Sequence, residues 1–126
     1  MKLTVVILIL SIGLLSCNML RQSNDDTNNN LYNDWRVDTL GCLKLRTLSN
    51  AKYIRDSLNI VNKESSFVIN KLGQPNFQTI NSNIEIIRYY FDTYCHESEI
   101  IDTLDYCWLE MSFEREKVKT IDIICH

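Results

Sequence analysis

The chain has 126 residues and a formal net charge of −3, from 16 acidic and 13 basic side chains. A chain of this length predicts one domain. Because it is mildly acidic, it has no basic surface for nucleic acid, and we expect no nucleic-acid partner. It also has no polybasic cluster of the kind that binds anionic lipid headgroups.

The N-terminal residues carry the clearest targeting signal in the chain. Lys2 precedes an apolar run from Leu3 to Leu15, which Ser16 and Cys17 close. A small residue directly before a cysteine is the lipoprotein form of a secretory cleavage site, as in the bacterial lipobox; an ordinary secretory signal is the alternative. A membrane-spanning helix would need ~20 apolar residues. The sequence therefore predicts a signal peptide over 1–16 and a lipid on Cys17 that anchors the protein in the outer membrane, facing the periplasm or the cell surface.

Asparagine dominates the next segment, with six Asn among residues 18–33. Such a polar stretch buries too little apolar surface to offset the entropy of ordering it. We predict a flexible tether over 17–33, which includes the lipidated cysteine, and a globular domain over 34–126.

The first part of that domain predicts an irregular lead-in and then a helix. The segment from Trp35 to Arg46 has no clean period and is interpreted as an extended lead-in. Ser49 can cap a helix, and apolar side chains follow it at spacings of three and four. These are Ala51, Ile54, Leu58 and Val61.

A second helix has signals at both ends. Asn62 can cap it, and Lys71 lies in its last turn. Gly73 suits the left-handed position after a helix, and Pro75 prevents continuation. Between these signals one helix face, at positions i, i+3, i+4 and i+7, comprises Ser65, Val68, Ile69 and Leu72.

After Pro75 the hydrophobic period changes to two, which predicts strands. The three predicted strands run over residues 84–94, 107–114 and 118–124. Short connections favour antiparallel pairing, and an apolar sheet face needs a cover. The predicted fold is α+β, with two helices packed on a three-stranded antiparallel sheet in the order α-α-β-β-β.

Three segments resemble the SmpA/OmlA family, the small outer-membrane lipoprotein of the β-barrel assembly machinery with a β-lactamase-inhibitor-like fold. Residues 68–75, VINKLGQP, resemble its helix-ending V-x-x-x-L-G-x-P motif. Residues 88–91, RYYF, resemble its tyrosine-rich first strand, and residues 109–118 its L-x-x-x-F…V hairpin. The resemblance implies a compact adaptor that binds other proteins without catalysis. The low Gly and Pro content would suit a Bacteroidetes member.

Four cysteines remain after Cys17, and an even count in a small exported domain predicts two disulfides. Sheet geometry suggests a Cys95–Cys107 bridge with Cys42–Cys125, and a pairing that contains Cys42–Cys107 is nearly as plausible. Metal binding and free thiols are the alternatives, and metal binding is considered because a histidine follows Cys95 and Cys125. Structural zinc sites usually have Cys-x₂₋₄-Cys spacing, which is absent, so we expect no metal or other cofactor.

The sequence shows no arrangement of nucleophile, base and acid that would support catalysis, so we do not expect an enzyme. Tyr90 and Trp108 are predicted on the sheet face opposite the core, where they are a possible binding face. Packing of these rings under the tether or a loop is the alternative. We predict a non-catalytic, membrane-anchored interaction module with another envelope protein as partner. An inhibitor-like or ligand-binding domain is the alternative function.

Overall fold

A computed structural model describes residues 22–101 and 106–126. The predicted signal peptide and Cys17 lie outside the described residues. The chain divides into two compact units, Met1–Leu31 and Tyr32–His126, and the sheet and its core belong to the second. None of the described helices is long and apolar enough to cross a membrane.

The described part of the chain is α+β, as the sequence predicted. Its helices are α1 (Gln22–Val37), α2 (Leu48–Ser57) and α3 (Ser65–Leu72). The main sheet is antiparallel, in the order β1-β2-β5-β6, and its strands are β1 (Phe77–Asn81), β2 (Ile84–Phe91), β5 (Cys107–Glu114) and β6 (Lys117–Cys125). A separate two-residue pair joins β3 (Cys95–His96) to β4 (Glu99–Ile100). The predicted α-α-β-β-β order is wrong, because α1, β1 and the β3–β4 pair are additional elements.

Helix α1 occupies most of the segment in which the sequence predicted a flexible tether. Its composition is polar, so it has little apolar periodicity. Near its C-terminal end Trp35 is fully buried, and the Trp35 ring lies 6.4 Å from that of Tyr89 and 6.3 Å from that of Phe91. This tertiary packing, which no local pattern encodes, holds the end of the helix.

Strand β1 is the second element that the sequence prediction missed. It contains two large apolar residues, Phe77 and Ile80, and both are exposed. The strand pairs with β2 residue for residue from Phe77↔Arg88 to Asn81↔Ile84. β1 is held by its pairing with β2 and is mostly exposed. Its sequence therefore shows almost no hydrophobic alternation.

Helix α2 begins slightly earlier and ends earlier than predicted. Its N-cap is Thr47 rather than Ser49, and the Thr47 hydroxyl accepts a hydrogen bond from the Asn50 amide at 3.2 Å. Ala51 and Ile54 are fully buried, as the helical spacing predicted. Val61 lies beyond the helix and is exposed.

Helix α3 ends where its sequence signals placed the end. Gly73 follows it with φ +84°, a conformation that L side chains rarely adopt, and its N–H donates to the Ile69 carbonyl at 2.8 Å. The predicted cap Asn62 is wrong, since Glu64 is the N-cap residue. Asn62 instead donates its backbone N–H to the Val118 carbonyl at 2.9 Å, at the start of β6.

The inner face of the sheet forms the core with the helices. Strand β2 alternates between buried and half-buried residues, and β5 does the same. Six inward side chains of these two strands are at most 1 % exposed. They are Ile87, Tyr89, Phe91, Leu109, Met111 and Phe113. Burial raises the pKa of Tyr89, whose phenol donates to the Gly73 carbonyl at 2.8 Å.

The segment between α1 and α2 is folded around two buried charged residues, Asp38 and Arg46. The Asp38 carboxylate accepts the backbone N–H groups of Leu43, Leu45 and Arg46 at 2.9–3.0 Å. The Arg46 guanidinium donates to four oxygen atoms from separate parts of the chain. These atoms are the carbonyls of Trp35, Thr39 and Tyr90 and the Asn76 side-chain oxygen. Burial lowers the pKa of Arg46 to about 10.

The structure contains two disulfides, Cys42–Cys95 and Cys107–Cys125. Both predicted pairings are therefore wrong, although the prediction of two bridges is confirmed. Cys107 and Cys125 are directly opposed on β5 and β6, with Cα atoms 4.1 Å apart. Cys95 is not at the end of β2, because that strand stops at Phe91.

A close approach of the lead-in loop explains the partner of Cys95. Gly41 has φ +76°, and a Cβ atom there would lie 3.0 Å from the Phe91 Cα and 3.1 Å from the Thr93 hydroxyl. A glycine lets the loop pass this close to the end of β2. The next residue, Cys42, is thereby brought to Cys95.

Candidate interaction site on the outer sheet face

The outer face of the sheet is the face opposite the core. Its side chains come from alternate positions of the same four strands. In the β2–β5 register Tyr90 is opposite Trp108, and Arg88 is opposite Glu110. Apart from Trp108, these residues are half-buried rather than buried. Two strands thus place aromatic and charged groups side by side on a surface that still meets solvent.

Tyr90 and Trp108, the predicted binding residues, do lie together on this face. They differ in exposure: Tyr90 is half-buried, whereas Trp108 is only 8 % exposed. Tyr106 contacts both rings with centroid distances of 5.6 Å, and His126 lies 5.0 Å from Trp108. Trp108 is therefore the covered centre of an aromatic group and not an open platform.

Arg88 links this aromatic group to the edge of the sheet. Its guanidinium carbon lies 4.8 Å from the ring centre of Phe77 and 5.3 Å from that of Trp108. Arginine over an aromatic face is stabilised by the negative potential of the ring, and more so where water is partly excluded. The two rings therefore fix the position of the guanidinium.

Glu110 completes the charged part of the site. Its Oε2 atom accepts a hydrogen bond from Arg88 Nε at 2.6 Å and lies 3.3 Å from the Trp108 indole nitrogen, which donates to it. The side chains of Arg88 and Glu110 are 32 % and 21 % exposed. A charge-assisted bond in such a partly shielded place is stronger than an ion pair in open solvent.

We call these seven residues the outer-face cluster. They are Phe77, Arg88, Tyr90, Tyr106, Trp108, Glu110 and His126. Aromatic residues and arginine are the types that dominate the energetics of protein interfaces. Each member contacts at least one other, so the surface is organised before any partner arrives. This favours binding because less side-chain entropy is lost.

A cleft of about 820 Å³ lies at the other end of the sheet, between the N-terminus of α3 and the two hairpin turns. Its lining mixes serine and acidic side chains with Ile80, which is 70 % exposed. It has no aromatic group other than buried Phe113. The outer-face cluster is the better candidate, because its groups are held by mutual contacts.

The remaining predicted site residues are the cysteines. Cys17 lies outside the described residues, so its lipidation stays a prediction. The other four cysteines form the two disulfides and therefore have no thiolate that could bind a metal. In residues 22–101 and 106–126 there is no group of three or more His, Cys, Asp or Glu that could hold a metal ion.

Sequence reasoning missed five members of the outer-face cluster. Arg88 and Glu110 share the period-two positions of Tyr90 and Trp108, so the same alternation could have included them. Phe77 and His126 could not be found this way: the strand that contains Phe77 was not recognised, and His126 follows the end of β6. Tyr106 directly precedes β5 and joins the cluster through ring contacts alone.

No protein-family model, no curated protein and no solved structure matches this chain.

Proposed function

We propose that the chain is a lipid-anchored outer-membrane protein whose globular domain is a non-catalytic interaction module for another envelope protein. The observation that carries this proposal is the outer-face cluster, a preorganised group of aromatic and charged side chains on a partly exposed sheet face. The predicted signal peptide and Cys17 lipidation supply the location. The partner class, envelope assembly, rests on the resemblance to the SmpA/OmlA family.

The distribution of side chains between the two faces of the sheet supports an interaction role. Most large apolar side chains of the inner face of β2 and β5 are buried in the core. On the outer face the rings of Phe77 and Tyr90 and the Arg88–Glu110 pair keep part of their surface in water. The exposed parts of these groups contribute little to folding, whereas a partner could bury them with a gain in free energy.

Photocrosslinking in the native membrane tests the proposal. A photoreactive amino acid is placed at Phe77 or at Thr120. Thr120 is an exposed outer-face residue of β6, opposite Ser112 of β5. The matched control carries it at Lys52, an exposed residue of α2. We expect discrete crosslinked proteins from the two outer-face positions and none of these from Lys52. Mass spectrometry then identifies them.

The identity of the captured protein decides between the two functional hypotheses. Recovery of barrel-assembly components supports the role in envelope assembly. Recovery of an extracytoplasmic enzyme instead favours the inhibitor-like alternative, which a half-exposed aromatic sheet face also suits. Equal crosslinking from Lys52, or no protein from either outer-face position, contradicts an interaction site on this face.

A further inference from the structure

Only one of the three nitrogen atoms of the Arg88 guanidinium is hydrogen-bonded within the described residues. Its Nε atom donates a hydrogen bond to Glu110, and its guanidinium carbon lies 4.8 Å from the ring centre of Phe77 and 5.3 Å from that of Trp108. Within residues 22–101 and 106–126, neither terminal nitrogen of Arg88 donates a hydrogen bond. The side chain is 32 % exposed. The residue therefore presents unused donors to solvent from a guanidinium that cannot easily change its orientation.

We propose that Arg88 is the recognition residue of the outer face and binds a carboxylate group of the partner protein. The inference rests on the proposed function and specifies the chemistry of its site. A guanidinium presents its N–H groups in a plane and binds a carboxylate through two parallel hydrogen bonds. The hydrogen bond to Glu110 and the two ring contacts restrain the guanidinium before binding, so little side-chain entropy is lost when a carboxylate binds.

Charge explains why a carboxylate suits the site better than a phosphate. Glu110 already compensates part of the positive charge of Arg88 at Nε. A monoanionic carboxylate adds one negative charge, whereas a phosphate near neutral pH adds closer to two, next to Glu110. The extra repulsion disfavours the phosphate.

The direction of approach follows from the order of charges across the sheet. The row of opposed residues runs Phe77, Arg88, Glu110, Asp122 from β1 to β6. Asp122 is two strands from Arg88, about 10 Å at the usual strand spacing. A carboxylate that arrives on the β1 side, near Phe77, is therefore farthest from both acidic groups.

The test uses two capped peptides, acetyl-Ala-Glu-Ala-amide and its Gln counterpart, titrated into the full chain at constant ionic strength. Each peptide has no free terminus, so the two differ only in the side-chain carboxylate. Two-dimensional ¹H–¹⁵N spectra report on the Arg88 Nε–H and on the indole N–H groups. The chain has two tryptophans. Trp108 contacts Glu110, and Trp35 of α1, which is buried against the inner face, serves as the internal control.

We expect the Glu peptide to shift the Trp108 indole and the Arg88 Nε–H signals saturably, with the Trp35 indole unmoved and the Gln peptide without effect. Arg88→Lys keeps the charge but loses the planar donors, and we expect its affinity to fall by at least about fivefold. The control Arg115→Lys, at the exposed β5–β6 turn, should bind as the unmodified chain does. An unchanged Trp35 signal in Arg88→Lys shows that the variant is folded.

Three results would overturn the inference: an equal response to both peptides, an unchanged affinity in Arg88→Lys, or tighter binding of inorganic phosphate than of the Glu peptide. These outcomes are separable from failure of the proposed function. If crosslinking from Phe77 captures a protein but the peptides give one of these results, the interaction site stands and the carboxylate assignment alone fails.

Discussion

At the scale of single residues, Arg46 contributes most to the connection between separate parts of the domain. It is 1 % exposed, and its guanidinium bonds to oxygen atoms of α1, the lead-in loop, the α3–β1 connection and β2. Its charge also lies 5.2 Å from the Trp35 ring and 5.6 Å from the Tyr89 ring. Neutral carbonyl oxygens, the Asp38 charge and two aromatic faces offset part of the cost of burying it, but burial still lowers its pKa.

Arg46→Met should lower the free energy of unfolding by about 3–5 kcal/mol, because it leaves several buried acceptors without a donor while roughly preserving side-chain length. Urea denaturation followed by tryptophan fluorescence measures the change. The control Arg55→Met removes an exposed arginine of α2, whose ion pair with Asp56 contributes little in open solvent. A loss below about 1 kcal/mol in Arg46→Met would contradict the central role of this residue.

At the scale of elements, the two disulfides link different kinds of segment. Cys107–Cys125 joins neighbouring strands that are already hydrogen-bonded along their length, with 18 residues of sequence separation. Cys42–Cys95 joins an irregular loop to the short β3–β4 pair across 53 residues. The second bridge closes the longer loop and has less secondary structure to support it.

Removing the longer-range bridge should therefore cost more. Loop-closure entropy predicts a loss of about 4 kcal/mol for the double variant Cys42→Ser/Cys95→Ser and about 3 kcal/mol for Cys107→Ser/Cys125→Ser. Denaturant unfolding of both variants under oxidising conditions measures the difference. Peptide mapping without reduction provides the independent check, and a linked fragment that joins Cys95 to Cys107 would refute the observed pairing.

At the scale of the whole molecule, the sheet separates the core from the proposed interaction surface. The helices and the lead-in loop cover most of the inner face, and the outer face carries the outer-face cluster. One end of the β5–β6 hairpin is held by a disulfide, and its turn lies at the other end, beside the cleft. This division allows substitutions in the outer-face cluster to alter binding while the core keeps its packing.

The proposed anchor leads to a prediction for the full chain in its own membrane. Cys17→Ser should move the protein from the membrane fraction to the soluble extracytoplasmic fraction, because stable anchoring by lipid requires more than one acyl chain and serine at this position would carry none. Fractionation with immunoblotting measures the shift, and intact mass reports the acyl groups on the unmodified chain. Cys107→Ser is the matched control and should stay in the membrane fraction. Equal membrane retention of Cys17→Ser would contradict the lipoprotein interpretation.

Local signals allowed the sequence to determine part of this protein. The ends of α3, the alternation of β2 and β5, the α+β class and the formation of two disulfides each depend on residues close in the chain or on composition. The placement of Tyr90 and Trp108 on one face also followed from period two. Only the tertiary structure decided that α1 is helical near Trp35, that β1 pairs with β2, that Cys42 meets Cys95, and that Arg88 contacts the rings of Phe77 and Trp108. The reason is physical: each of these features depends on contacts between segments distant in sequence, whose approach is set by tertiary packing rather than by any repeating pattern along the chain.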